Sequence, residues 1–273
     1  MTAKAVLGCV IIPAHDEAAV ITRVIGPLAE LAASGRIELV VAANGCHDDT
    51  VSIASRFEGV RVLDLPNPSK PAAMREADRE ATSWPRVYLD ADVECPATSL
   101  IAVLELLGAD GAILAARPAF RYETVGASTT VRSYYRARGR IPALNAAMWG
   151  AGVYALSRRG HERLGEFPDA TADDLVIDRL FSAEEKRVLS VEPVIVRTPR
   201  TTSALLATLR RVRSGNGEQG VDSGGSTLGG LIRSIRGPRS AIDACVYLLI
   251  SARARLRSSA STSRWERDDT SRT

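Results

Sequence analysis

Three features of the chain predict an α/β fold, a doubly wound and mostly parallel sheet flanked by helices with a helical C-terminal appendage. Short apolar runs alternate with amphipathic stretches over residues 6–115. Each run ends in a loop rich in Pro, Asn, Gly or Asp. Finally, Asp90 and Asp92 stand at the carboxyl end of the run Val87 to Leu89, the edge of an open α/β sheet where ligands bind.

In order, Val6 to Ile12 predicts a first strand, ended by Pro13. The eight apolar residues from Ala5 lead into Pro13, Asp16 and Glu17 with no cleavage pattern, so they read as a core strand and not a leader. Val20, Ile21, Val24, Ile25, Leu28 and Leu31 then recur at helical spacing until Ser34-Gly35. Ile37 to Ala43 predicts strand two, and the aspartates of Asn44-Gly45-Cys46-His47-Asp48-Asp49-Thr50 suit the start of a helix over Val51 to Phe57. Val60 to Leu63 is strand three. An alanine-rich helix, Ala72 to Ser83, precedes the strand before Asp90; a helix over Thr98 to Leu107 and a strand over Gly111 to Ala115 follow.

The alternation then falters. Tyr122 to Arg140 reads as partly helical, Trp149 to Ser157 as extended, Leu175 to Phe181 as a helix entered through Asp173 and Asp174, and Val188 to Val196 as a last strand region. Ser214 to Gly230 has the glycine content of a flexible loop. It contains a GxGxxG match, Gly215 to Gly220, but no strand leads into it, so it is not a dinucleotide fingerprint. Ser240 to Leu256 reads as a helix with an apolar middle and basic ends, and 258–273 as a disordered tail. The expected division is therefore 1–213 as the main domain, in halves 1–115 and 116–213, then the loop 214–230, a helical segment 231–257 and the tail.

With 45% hydrophobic and 25% charged residues in 273, the chain can bury a sizeable core. A net charge of +3 is too small to imply nucleic-acid binding. The arginines crowd toward the C-terminus, so the final helix has three open uses: packing on its own domain, pairing in a homodimer, or lying peripherally on the inner face of a membrane. Four scattered cysteines without a CxxC pair suit free thiols in a reducing cytoplasm and argue against zinc.

Carboxylates one residue apart at a strand end offer the oxygen ligands that Mg²⁺ or Mn²⁺ prefers. Other loops converge on the same edge: Val10 to Glu17, Val40 to Thr50, the Lys70 loop, Gly150 to Ser157, Ala172 to Leu175, and Arg210 to Asn216. In order and spacing these stretches resemble the family 2 glycosyltransferases of GT-A fold, over roughly residues 6–216. The resemblance implies inverting transfer of a sugar from a nucleotide-diphosphate sugar to an acceptor hydroxyl, with Mn²⁺ or Mg²⁺ as cofactor.

It also implies roles for individual residues. Asp92 binds the metal, while Asp90 and Ala91 approach the ribose or donor sugar. Pro13, Ala14, His15 and Glu17 hold the nucleoside, Asn44 approaches the base, and Lys70 meets phosphate or sugar. Ala43-Asn44 stands where many relatives carry Asp-Asp, so no carboxylate contact to a uracil follows. Asp174 is the expected general base with Asp173 as fallback, and Asp173 also suits a helix cap. Arg210 and Arg213 close over the diphosphate, with the glycine-rich segment after them as a lid. Gly150, Gly152 and Tyr154 line the acceptor pocket. Three other readings share parts of this pattern: a retaining glycosyltransferase, a nucleotidyltransferase, and a non-catalytic sugar-nucleotide-binding scaffold.

Overall fold

The computed structural model describes residues 5–169, 172–217 and 224–256, apart from the side chains of 211, 213–217, 224–226 and 256. The expected tail, and residues 218–223 of the expected loop, lie outside these. The chain divides into two compact units: Met1–Phe120 with Met148–Ile195, and Arg121–Ala147 with Val196–Thr273. Residues 148–195 thus return to the first unit, an arrangement that the expected halves, cut after Ala115, did not contain.

Seven strands form one sheet: β1 (Cys9–Ala14), β2 (Glu38–Asn44), β3 (Val60–Leu65), β4 (Arg86–Leu89), β5 (Ala115–Glu123), β6 (Val153–Leu156) and β7 (Lys186–Arg197). Their order is β3-β2-β1-β4-β6-β5-β7. The first four run parallel, and β6 is antiparallel to both β4 and β5. β1, and β2 from Leu39 to Ala43, are apolar because both faces are covered. Val10, Ile12, Leu39 and Val41 point into one core layer, Cys9, Ile11, Val40 and Ala42 into the other, as the period of two requires.

Pro13 does not end β1 as expected. It pairs with Ala42 inside the strand, and β4 pairs with β1 only as far as Ile11, so the missing N–H interrupts no ladder on that side. The expected strand over 111–115 lies later, as β5. Its Arg-Pro-Ala-Phe-Arg-Tyr-Glu stretch lacks the alternation that would have marked it, while Arg117 is fully buried.

The helices of the first unit follow the predicted periodicity. The expected first helix is broken by Gly26-Pro27 into α1 (Ile21–Ile25), a 3₁₀ turn and α2 (Ala29–Ala33). After β2 comes α3 (Thr50–Ala54), after β3 α4 (Lys70–Glu80), after β4 α5 (Ala97–Gly108). In the second unit lie α6 (Thr129–Gly139) and α7 (Pro142–Ala146). Back in the first lie α8 (Arg158–Leu164) and α9 (Asp173–Leu180). The second unit is completed by α10 (Thr202–Gly217), α11 (Gly224–Arg233) and α12 (Pro238–Leu256). Residues 214–217 and 224–230, expected in a flexible loop, therefore belong to helices.

Candidate active site

In the first unit, β1, β2 and β4 all release their chains at one sheet edge, as a parallel set must. The loop after β1 is tied to the loop after β2 by contacts some thirty residues apart in sequence. The Glu17 N–H donates to Thr50 Oγ1 (2.6 Å), the Ala18 N–H to Asp48 (3.0 Å) and the His47 N–H to Asp16 (2.5 Å). Asp48 also accepts from the Thr50 N–H and hydroxyl. The aspartates after β2 thus fasten two loops as well as starting α3.

Pro13 and Ala14 are buried in β1, and Glu17 is buried as well. His15 Nδ1 lies 2.6 Å from the Asn44 carbonyl oxygen. Asn44, expected to approach a base, is 2% exposed, and its amide nitrogen donates to the Ala14 carbonyl (2.8 Å), so the side chain joins β2 to β1. His15, Asp16 and Cys46 bring one donor atom each within 4.8 Å of one another. That nitrogen, oxygen and sulfur set differs from the all-oxygen set expected at Asp92.

The charged centre lies where β4, α4 and α9 meet. Ser69 caps α4 by accepting from the Ala72 N–H, so Lys70 is its first residue. From there Lys70 Nζ reaches Asp90 Oδ1 at 2.9 Å and Asp173 Oδ1 at 3.0 Å. Asp173 turns its other oxygen to the Tyr154 hydroxyl (2.7 Å). It forms no side-chain cap on α9, contrary to the capping role expected of it. Asp174 accepts from the Gly150 N–H (2.8 Å). The Asp90 N–H bonds the Gly152 carbonyl (2.8 Å), and Ala91 is buried beside it.

Exposure separates the acids: the Asp90 side chain is 40% exposed and that of Asp173 only 8%. Although its side chain is the more exposed, desolvation by the surrounding protein raises the pKa of Asp90; Lys70 opposes the shift, and the charges of Asp92 and Asp173 add to it. Burial, then the charge of Asp173, pushes Asp174 up to about 6, against the pull of the Gly150 N–H and Lys70. Burial alone would lower the pKa of Lys70, but Asp173 and Asp90 together hold it well above the usual value. The centre thus carries four aspartates around one ammonium group, with Asp92 half-buried and coupled to Asp90.

Gly150 and Gly152 have φ of +81° and +65°. A Cβ on Gly152 would lie 2.5 Å from Val93 Cγ2 and 3.2 Å from Asp90 Oδ2, so glycine permits the approach of this loop to β4. Tyr154, expected at the acceptor pocket, is 3% exposed and stacks on Tyr88 at 5.1 Å. It is a core residue whose hydroxyl alone reaches the centre.

Sequence reasoning overlooked Asp178, which anchors the 148–152 loop. It accepts from the Met148 N–H (2.8 Å) and pairs with Lys186 (3.0 Å). Its place one helical turn beyond Asp174 was the available signal. Also unforeseen is Asp78, which meets His161 (2.5 Å), Tyr88 (2.8 Å) and Arg86 (2.5 Å). Arg210 and Arg213 lie one turn apart on α10 of the second unit. Arg210 has a buried Nε with no hydrogen-bond partner among the described residues.

A parallel half-sheet continued by antiparallel β6, with aspartates gathered at the carboxyl end of β4, is the GT-A architecture. The model of glycosyl transferase family 2 matches residues 9–163, more than half of the chain. The chain belongs to that family and is a glycosyltransferase.

Solved structures of similar fold include a mannosyltransferase from Pyrobaculum calidifontis in complex with GDP-Man and Mn²⁺. It is 20% identical, with 94% of this chain and 76% of that one covered and a TM-score of 0.61. Glucosyl-3-phosphoglycerate synthase from Mycobacterium tuberculosis, in complex with phosphoglyceric acid, is 22% identical. The shares covered are 80% and 81%, with a TM-score of 0.57. The same values hold for that enzyme in complex with Mn²⁺, UDP and glucosyl-3-phosphoglycerate. No curated protein matches the chain at a significant level.

Proposed function

We propose that the protein transfers a sugar from a nucleotide-diphosphate sugar to an acceptor hydroxyl with inversion, using a divalent cation. The observation that carries this reading is Asp174, a carboxylate held by the Gly150 N–H at 2.8 Å whose pKa of about 6 suits a base working near neutral pH. Its neighbour Asp173 is already engaged by Lys70 and Tyr154, which favours Asp174 over Asp173 for the role.

In this mechanism Asp174 takes the proton of the acceptor hydroxyl as its oxygen attacks the anomeric carbon. The bond from that carbon to the leaving phosphate oxygen breaks with the electron pair going to the diphosphate. Asp90, the more exposed acid, meets the ribose or donor sugar. Lys70 holds Asp90 and Asp173 in register and turns part of its charge to donor phosphate. Gly150 and Gly152 form the wall on which the acceptor rests.

Asp92, with Asp90 beside it, would hold Mn²⁺ or Mg²⁺. The fit is electrostatic: beyond desolvation, and against the pull of Lys70, the charges of Asp92 and Asp173 raise the Asp90 pKa, a repulsion that a cation relieves, and the carboxylate donors are hard oxygens. When bound, the ion would offset charge on the leaving diphosphate. The solved complexes of two similar folds, one with GDP-Man and Mn²⁺ and one with Mn²⁺ and UDP, support this choice of donor and metal. Pro13, Ala14, His15 and Glu17 would cradle the nucleoside. The role proposed for Arg210 and Arg213 is binding of diphosphate, which guanidinium groups meet with paired donors.

The test is release of nucleoside diphosphate across a panel of UDP- and GDP-sugars with and without Mn²⁺, followed by the anomeric configuration of the product. Inverted product that requires metal and Asp174 is the expected result. Retained configuration would assign the retaining mechanism, and no release from any donor would assign a binding scaffold.

A further inference from the structure

The C-terminal helices of the second unit leave large aliphatic side chains exposed that nothing among the described residues covers. α12 turns Asp243, Ala244, Tyr247, Ile250 and Ala254 inward. Tyr247 stacks on Tyr134 of α6 at 4.8 Å, and Asp243 pairs with Arg136 and Arg140. The opposite face carries Ile242, Leu248 and Leu249, 62%, 44% and 69% exposed. On α11 and the turn after it, Leu228, Ile232 and Ile235 are also exposed. Six large aliphatic side chains in solvent within two consecutive helices and the turn between them exceed the scattered exposure usual on a surface.

Charge identifies the occupant. From Gly224 to Leu256 the basic residues are Arg233, Arg236, Arg239, Arg253 and Arg255, and the only acid is Asp243. Asp243 is buried and neutralised, so the outward face combines aliphatic groups with positive charge alone. A second copy docking by the same face would bring arginine against arginine. An acidic lipid surface offers negative headgroups to the arginines and acyl chains to the leucines and isoleucines. No described helix is long and apolar enough to cross a membrane, so the contact is one of lying on the surface.

We propose that the exposed aliphatic and basic side chains of α11 and α12 dock the protein on an anionic membrane. The inference is independent of the transfer mechanism, so its failure leaves that mechanism standing. The experiment is cosedimentation of the full chain with vesicles of phosphatidylcholine alone and of phosphatidylcholine with roughly one-third phosphatidylglycerol.

Binding to the acidic vesicles only, weakened by added salt, is expected. Replacing Arg236 and Arg239 by Gln should weaken it by about fivefold for each charge removed. Ile242→Glu with Leu249→Glu should reduce it by at least about tenfold while donor hydrolysis and melting temperature hold. Absence of binding, equal binding of these variants, or a concentration-dependent dimer abolished by Ile242→Glu and Leu249→Glu would overturn the proposal.

Discussion

Asp173 and Asp174 adjoin in sequence and differ in every contact. One is closed between a lysine and a tyrosine; the other accepts from the Gly150 N–H and has its proton affinity raised. If Asp174 is the base, kcat/KM should rise with pH through about 6 and level off above it. Asp174→Asn should lower kcat by about 10²–10⁴-fold with donor affinity intact. The same shift has a stability consequence. A carboxyl with a raised folded pKa binds its proton more tightly in the native state, so its charge begins to cost stability as pH rises above the unfolded value. That penalty is complete above about 6. Asp174→Asn should therefore raise the stability at pH 7 by about 1–3 kcal/mol and leave it unchanged near pH 3; a melting curve at each pH decides this. Asp92→Ala should remove metal-stimulated turnover, and chelation should reproduce the loss in the parent protein. Activity of Asp92→Ala that still responded to Mn²⁺ would place the ion elsewhere.

Among elements, the loop before β6 and the α6–α12 pair are the two places where a single change should matter most. Gly152→Ala puts a methyl group against Val93 and near Asp90 in a left-handed backbone conformation. A loss of about 1–3 kcal/mol is expected, with reduced turnover because the loop bonds the Asp90 backbone. Chemical denaturation and kinetics measure the two effects. On α12, burial raises the pKa of Asp243, yet hydrogen bonds from Arg136, Ser133 and Arg140 bring it down to about 2. A depressed carboxyl contributes stability above its unfolded pKa and loses it as pH falls from about 4 to about 2. The contribution at pH 7 is about 2 kcal/mol, and Asp243→Ala, which also strands the arginines, should cost about 2–4 kcal/mol. Its acid transition should begin at higher pH than that of the parent, if the pair has the importance its burial implies.

For the whole molecule, binding is linked to stability by mass action. Donor at about 100 times its dissociation constant adds about 2.7 kcal/mol to the state that binds it. For a chain of this size that is a rise of about 5–10 °C in melting temperature. The rise should require Mn²⁺ together with nucleotide-sugar and vanish in Asp92→Ala. An equal rise from donor without metal would detach recognition from the cation.

The strand and helix order of the first unit was legible in the sequence because β1, β2 and β4 are buried on both faces and the helices keep one apolar stripe. Those patterns are local and follow from the periods of the two structures. The acids at the end of β4 and the start of α9 were legible for the same reason: a strand or helix boundary locates the residues that follow it. What the sequence alone could not decide is which partner each of those residues takes. Lys70 meets acids from two other elements, and Asn44 and Tyr154 turn inward, through contacts between residues 19 to 103 positions apart. Composition assigned glycines to a loop over 214–230, yet residues on both sides of 218–223 are helical. Propensity yields to packing wherever a face can be buried. The sequence by itself determined the order of elements and the chemistry available at the sheet edge. Only the tertiary structure decided which carboxylate is held, which is buried and which is left open, because burial and charge proximity are properties of distance in space.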